Sequence, residues 1–515
     1  MPKDVNIGRL LSKRAALHPG KEALFDVAAG RRFSFGELNS RANRLGAALL
    51  ALGMKPGDRV AALCHNGHHY FETIYGAAKV GIVLMPLNWR LTPRELSHIL
   101  RDGGATTLIF SSEFTATVEQ LRAGGAAAGA VKHWIEVEGI RAAFAHHEDF
   151  IDGQSDAEPT GDVGDDDNLY IMYTSGTTGA PKGAVHTHFS QFWVALSSLT
   201  IRDVLGTDRM LHLLPMFHVG PLAGCVLALY RGCSQVVERR FDAMRAWQVI
   251  ESEGISIMTV VPAILEAMLR VPDLRRFDWS SLRSLAAGGS PVTIPLIEAY
   301  RALGLEIYQA YGLTEACGGV SLLHPADAVR KAGWAGKPGL HTEVRNAGPE
   351  NKTLPPDTVG EICVRGHQVM KGYWQNPAAT AAAIDAEGWL HTGDMGLLDA
   401  EGFILVRGRL RDMIISGGEN VYPAEIEAVL MEHPGIKDVA VIGRPSPRWG
   451  ESPFAVVTRA TPELSANEVL AFCDGKLAGY KRPRGVAFLD ELPRNASNKV
   501  LKTALREQFK EPLAE

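Results

Sequence analysis

The 515-residue chain lacks several features, and each absence narrows its class. No run approaches the ~18 apolar residues that a membrane-spanning helix needs. The first twenty residues, MPKDVNIGRLLSKRAALHPG, hold no apolar core of signal-peptide length, and their Leu and Ala spacing predicts an amphipathic helix. Cysteine is scarce. Cys64, Cys225, Cys233, Cys317, Cys363 and Cys473 show neither CxxC nor metal-type spacing and read as buried thiols of a cytoplasmic protein. Basic excess is absent too: 53 Lys and Arg against 58 Asp and Glu leave a net charge of -5, which argues against nucleic acid as the partner. Arg239, Arg240, Arg245, Arg270, Arg275 and Arg276 read as solvated residues on separate faces, although peripheral contact with a membrane surface stays open. There is no internal repeat and no low-complexity tract. What remains is a globular chain long enough for roughly three domain-sized units.

The segment YTSGTTGAPKG, residues 173–183, is the most informative stretch. It follows the apolar Leu169–Met172 and combines Gly176, Gly179 and Gly183 with Thr174, Ser175, Thr177, Thr178 and Lys182. Glycines let backbone N–H groups approach an anion, hydroxyls add donors, and lysine adds charge. That is the chemistry for holding a polyphosphate. A Walker loop would carry glycine at the sixth position from Gly176, where this chain has Pro181, so the ordinary P-loop is excluded.

Strand and helix patterns alternate along much of the chain. Residues 37–50 have helical apolar spacing, 59–64 and 107–110 look like short buried strands, and 152–167 reads as an acidic surface linker. Further strands are expected at 257–261 and 282–287, with a helix at 293–303. Such repetition implies a mainly parallel sheet flanked by helices. Between 359 and 407 the texture turns to short strands and Gly-centred turns, and from about residue 411 a new strand–loop–helix–strand pattern begins. The expectation is an α/β protein in two parts. Residues 1–410 form a large N-terminal domain of mainly parallel sheets with a distorted β-barrel subdomain, and 411–515 form a small mobile α+β domain.

After the Gly/Thr/Lys loop come LPMFH (214–218), AAGGSP (286–291), QAYGLTE (309–315), WLHTGD (389–394), the run from Gly408 to Glu427, and PRNASNKVLK (493–502). In this order, and over nearly the whole chain, they resemble the adenylate-forming superfamily, and within it the bacterial AMP-forming fatty acyl-CoA ligases. The resemblance implies a two-step reaction in which ATP converts a carboxylate to an acyl-adenylate and coenzyme A then takes the acyl group. Most of the catalytic effect would come from positioning and charge stabilisation.

Carried over residue by residue, Thr174, Ser175, Gly176, Thr177, Thr178, Gly179 and Lys182 match the phosphate loop. Glu315 matches the Mg2+-associated acid, and Thr314 a phosphate contact. Gly288, Gly289, Ser290 and Pro291 match a nucleotide-binding segment, as do Ala310, Tyr311 and Gly312, with Tyr311 stacking on adenine. Asp394 matches the acid that accepts the ribose hydroxyls, and Arg409 a second ribose or phosphate contact. Lys499 matches the lysine that bridges carboxylate and α-phosphate during adenylation. Arg411 falls at the hinge about which the C-terminal domain alternates, and Gly417 and Gly418 fall where the pantetheine arm of CoA would pass. Taken alone, each residue has a blander reading: Tyr311 as core, Asp394 as a turn cap, Lys499 as solvated surface.

The chain departs from the pattern once. Asn498 precedes Lys499 where the family has glycine, and asparagine tolerates positive φ better than most residues. The resemblance puts the acyl pocket near His218, Val219, Gly288, Gly289, Gly312 and Gly318. Nothing acidic directly follows the segment Pro215–His218, which disfavours an amino-acid substrate whose buried ammonium would need a partner. A medium- or long-chain fatty acid is the expected substrate. An aryl or short branched acid, a luciferase-like oxygenase, a carrier-protein loader and a non-catalytic nucleotide binder are the alternatives. The sequence does not set the oligomeric state, and a homodimer stays open.

Overall fold

The computed structural model describes residues 5–124, 131–139, 144–174, 181–290, 292–416, 419–495 and 499–512. They form two units: 1–344 with 364–390 and 402–404, and 345–363 with 391–401 and 405–515. This grouping sends residues 345–363 and 391–401 with the C-terminal part, whereas the sequence reading divides the chain after residue 410.

Period-2 burial explains the first unit. In the strand Arg59–Leu63, Val60 and Ala62 enter one hydrophobic cluster while Ala61 and Leu63 enter another. A strand buried on both faces belongs in a parallel sheet covered on both sides. It lies in an eight-stranded sheet ordered Gly372–Tyr373, Lys182–Thr187, Asn168–Thr174, Val83–Pro86, Arg59–Leu63, Thr107–Phe110, His133–Glu136, Ala145–His146. Its centre is parallel, and the first two strands are added antiparallel. A nine-stranded sheet has a parallel centre running Glu22–Asp26, Ser234–Val237, Arg209–His212, Ile257–Val260, Ser284–Gly288 and Ile307–Tyr311, with antiparallel edge strands.

Both sheets feed one core. Ala62 and Leu84 from the first, and Leu24, Met210 and Val237 from the second, pack with the helices Phe35–Ala51, His68–Lys79 and Val219–Arg231. The outer face of the nine-stranded sheet is covered by the helices Ala243–Glu253, Pro262–Leu269 and Ile294–Arg301. Local signals set the helix starts. Ser34 with Glu37 and Thr92 with Glu95 form reciprocal capping boxes, each cap contributing about 1 kcal/mol. The N-terminal helix runs Ile7–Leu17 and buries Ile7 and Leu11, as its spacing predicts.

The second unit repeats the alternation. Val439, Val441, Ala455 and Val457 face the helix Pro423–Leu430, while Ala440, Ile442, Phe454 and Val456 pack against Leu505. These residues come from the long antiparallel pair Ile436–Ser446 and Gly450–Arg459. Residues expected to form a distorted barrel form a four-stranded sheet ordered Thr342–Ala347, Gly360–Gly366, Leu390–Leu398, Ile404–Arg409. Among the described residues no helix is long and apolar enough to cross a membrane. The arginines are largely paired: Arg239 with Glu113 and Glu138, Arg245 with Glu238, Arg270 with Glu266. The acidic stretch is not simply solvated, because Glu158 binds Lys79 at 2.9 Å and Asp165 accepts the Val5 N–H at 2.7 Å.

A buried ionic network ties three helices of the first unit. Arg41 meets Glu72 at 2.6 Å and Glu148 at 2.7 Å, Glu72 meets His147 at 2.8 Å, and His68 meets Asp26 at 2.7 Å. Burial opposes charge on Glu72, but His147 and Arg41 outweigh it and hold the carboxyl well below its ordinary range. Bonds to His68 and Arg41 do the same for Glu148. Burial works against the His68 imidazolium, yet hydrogen bonds to Asp26 and Glu148 raise it to about 9. The carboxylates therefore contribute stability above pH 4.5 that is lost as pH falls. His68 contributes fully below its unfolded value of 6.5 and loses that contribution as pH rises through about 9. Urea midpoints should be highest between pH 4.5 and 6.5. Arg41→Ala, which strips Glu72 of its cation, should lower unfolding free energy by about 3 kcal/mol at pH 6. A change below ~0.5 kcal/mol would remove the network from the account of stability.

Candidate active site

Two of the expected phosphate-loop residues, Thr174 and Lys182, lie at paired strand ends in the first unit. Thr174 closes the strand Asn168–Thr174 and pairs in register with Lys182, which opens Lys182–Thr187. The Thr174 hydroxyl donates to the Lys182 carbonyl at 3.5 Å. Both side chains are half-buried at one end of the sheet. Ser175, Gly176, Thr177, Thr178 and Gly179 lie outside the described residues, as do Pro291, Gly417, Gly418 and Asn498.

Two residues that no motif marks connect this hairpin to Glu315. Gly372 and Tyr373 pair antiparallel with Val185 and Ala184. That addition brings the Tyr373 ring to 5.3 Å from Lys182 Nζ and lets its hydroxyl donate to Glu315 Oε1 at 2.9 Å. The Glu315 carbonyl accepts the Met370 N–H at 2.8 Å, so both ends of the residue are fixed by the 370–373 segment. His186 Nε2 donates to the Thr314 carbonyl at 2.8 Å, and burial pushes this imidazole down to about 4, so it is the neutral ring that donates. The signal for Tyr373 was thin: an aromatic residue after Gly372, far from Glu315 in the chain. His186 had none beyond its place in an apolar strand.

Glu315 sits in the single turn Thr314–Ala316, directly after the strand Ile307–Tyr311 that ends in the half-buried Tyr311. Ala310 pairs in register with Gly288 of the neighbouring strand, and a Cβ on Gly288 would come within 2.8 Å of the Ala310 carbonyl oxygen. Ser290 follows in an exposed bend, after Gly289 at φ +85°. The chain then folds back on itself. A Cβ on Gly312 would meet the Gly318 carbonyl oxygen at 2.1 Å, and Gly318, at φ +87°, lies against Val219. Gly312, Gly318 and Val219 are therefore neighbours. His218 is the N-cap of the helix Val219–Arg231, and its ring lies tilted against that of Phe217, ring centroids 4.4 Å apart. The Cys317 thiol, which burial pushes up to about 12, shares a buried cluster with Tyr170 and Gln191 and is no nucleophile.

In the second unit Asp394 lies on the strand Leu390–Leu398 and is 4% exposed. Arg409 bonds its carboxylate from Nε at 2.8 Å and the Thr392 carbonyl from Nη1 at 2.9 Å. Arg411 is exposed on the single turn Leu410–Asp412. Lys499 is exposed beside the Arg494–Val500 bridge, its N–H donating to Asn495 Oδ1 and its carbonyl accepting the Asn495 N–H.

The set suits phosphate and hard-cation chemistry. Glu315 offers a half-buried carboxylate oxygen, which a hard cation prefers, and Lys182 offers charge near the Tyr373 ring that bonds it. Among the described residues, one other group has metal-like spacing: Glu361, Cys363 and His391, whose ligand atoms lie within 4.8 Å of one another.

Residues 11–374 match the family described as AMP-binding enzyme, and 425–499 match the AMP-binding enzyme C-terminal domain. The chain is 41% identical over 508 residues, 98% of each chain, to the long-chain-fatty-acid–CoA ligase FadD13 of Mycobacterium tuberculosis. It is 40% identical over 509 residues to a feruloyl-CoA synthase of Amycolatopsis, covering 98% of this chain and all of that one. The o-succinylbenzoate coenzyme A synthetase of Bacillus subtilis, solved with ATP and magnesium ion, superposes with a TM-score of 0.85 at 32% identity, over 98% of this chain and 99% of that one.

The Gly312–Gly318 contact makes a direct prediction. Gly312→Ala must displace backbone rather than a mobile side chain, so it should cost 1–3 kcal/mol in urea unfolding. An unchanged midpoint would mean that the turn after Tyr311 is loosely packed.

Proposed function

The chain belongs to the AMP-binding enzyme family, and from that premise we propose that it is an AMP-forming ligase joining a medium- or long-chain fatty acid to coenzyme A. The observation that carries this reading is the full-length likeness to a long-chain-fatty-acid–CoA ligase, and the joined Lys182, Tyr373 and Glu315 fit it. Cytoplasmic work is supported by six buried cysteines that form no disulfide.

A carboxylate is a poor electrophile. Its oxygen attacks the α-phosphorus of ATP, the bond to the bridging oxygen breaks, and pyrophosphate leaves. The thiolate of CoA then attacks the acyl carbon, and AMP leaves with the bond electrons. Thr174 and Lys182, with the loop between them, donate to the phosphates, where positive charge matters most as pyrophosphate departs. Magnesium, when bound, neutralises phosphate oxygens, and Glu315 would hold it, oriented by the Tyr373 hydroxyl. Thr314 contacts phosphate, and Tyr311 stacks on adenine with Gly288, Gly289, Ser290, Pro291, Ala310 and Gly312 around the base. Asp394 accepts the ribose hydroxyls, and Arg409, already bonded to it, orients that carboxylate.

Lys499 serves adenylation as a point charge on a long stem. Residues 411–515 act as the mobile part, with Arg411 as hinge and Gly417 and Gly418 lying along the pantetheine arm. The acyl chain lies near His218, Val219, Gly312 and Gly318. A second reading, an aryl acid as substrate, has its own support in the likeness to a feruloyl-CoA synthase.

Two measurements test the proposal. Lys499→Ala should lower pyrophosphate release from ATP and acid by about 10²–10³ while sparing thioester formation from supplied acyl-adenylate. Full adenylation by the variant would remove Lys499 from this role. A panel of acids assayed for CoA-dependent AMP release should peak at an aliphatic acid of medium or long chain. A peak at an aromatic acid would adopt the second reading, and no AMP with any acid would end both.

A further inference from the structure

We propose that Glu361 is a positioning residue that sets the ribose-binding carboxylate of Asp394 through the turn before it. The inference rests on the ribose role proposed for Asp394. Glu361 lies on the strand Gly360–Gly366, and its carboxylate engages the turn before Asp394. One carboxylate oxygen, Oε1, accepts the Gly393 N–H at 2.9 Å, and the other, Oε2, meets His391 Nδ1 at 2.7 Å. Gly393 is at φ +69°, a left-handed kink inside the strand Leu390–Leu398 that aims the next residue. A kink inside a strand takes backbone groups out of the ladder, and the part-buried Gly393 N–H then needs an acceptor from elsewhere. Glu361 supplies that acceptor.

Neighbouring bonds serve the same turn. The Asp394 N–H donates to Thr392 Oγ1 at 3.0 Å, and the Thr392 hydroxyl donates to the Ile362 carbonyl at 2.6 Å. Arg409 then spans the Thr392 carbonyl and the Asp394 carboxylate. Adjacent residues 361 and 362 thus hold 391–394 from one side and Arg409 from the other. The grouping of Glu361, Cys363 and His391 has the spacing of a metal site, but both Glu361 oxygens and His391 Nδ1 are already engaged in these bonds. The carboxylate is accounted for by the turn.

The test compares ATP with 2′,3′-dideoxy-ATP, which lacks the hydroxyls that Asp394 accepts. Glu361→Ala should raise KM for ATP about tenfold, with kcat within about twofold, and leave KM for the dideoxy nucleotide unchanged. Glu361→Gln keeps the shape and one acceptor and should raise the ATP value about threefold, which covers the case in which the alanine variant does not fold. Equal losses with both nucleotides would reduce Glu361 to a structural residue, and an unchanged ATP value would also overturn the proposal. Asp394→Asn is measured alongside. If it discriminates between the nucleotides and the Glu361 variants do not, the positioning idea fails alone. If Asp394→Asn does not discriminate, the ribose reading beneath it fails first.

Discussion

The antiparallel addition of Gly372–Tyr373 to the strand Lys182–Thr187 is the constraint on which the proposed phosphate-binding side of this protein depends. A lysine at a strand end, an acid in a short turn and a phenol after a glycine are individually unremarkable surface chemistry. Pairing residue 373 with residue 184 turns them into one arrangement, in which the tyrosine lies beside the cation and donates to the anion. Because the Met370 N–H also holds the Glu315 backbone, the acid is restrained at both ends. Restraint of this kind is what charge stabilisation needs, since a donor set already in place does not have to reorganise as charge develops.

The two units solve their packing by the same means and their polar chemistry differently. Both bury strands on two faces, so successive residues feed separate cores. In the first unit, glycines allow close backbone approach around Tyr311, and Gly312 and Gly318 leave no room for side chains. In the second, Asp394 is nearly buried, its carboxylate bound by Arg409 and its backbone N–H donating to the Thr392 hydroxyl. A buried carboxylate demands such partners. The ionic network of Arg41, Glu72, Glu148 and His68 meets the same demand where no catalytic role is proposed, so strong pKa perturbation alone does not mark the active site.

The sequence by itself determined the strand–helix alternation and carried the motifs from which the phosphate-loop, acid, ribose and lysine roles are proposed. These are local: a period of two or a Gly/Thr/Lys loop carries its signal within a few residues. Only the tertiary structure decided which distant segments complete them. Tyr373 reaches Glu315, His186 reaches Thr314, and Glu361 reaches Gly393 across separations of 58, 128 and 32 residues. It also decided that the acidic linker is tied down through Glu158 and Asp165, because Lys79 on a remote helix and the Val5 N–H complete what looked like a solvated run. Hydrogen bonds across a sheet depend on register, and register is a property of the packed whole rather than of any short stretch of chain.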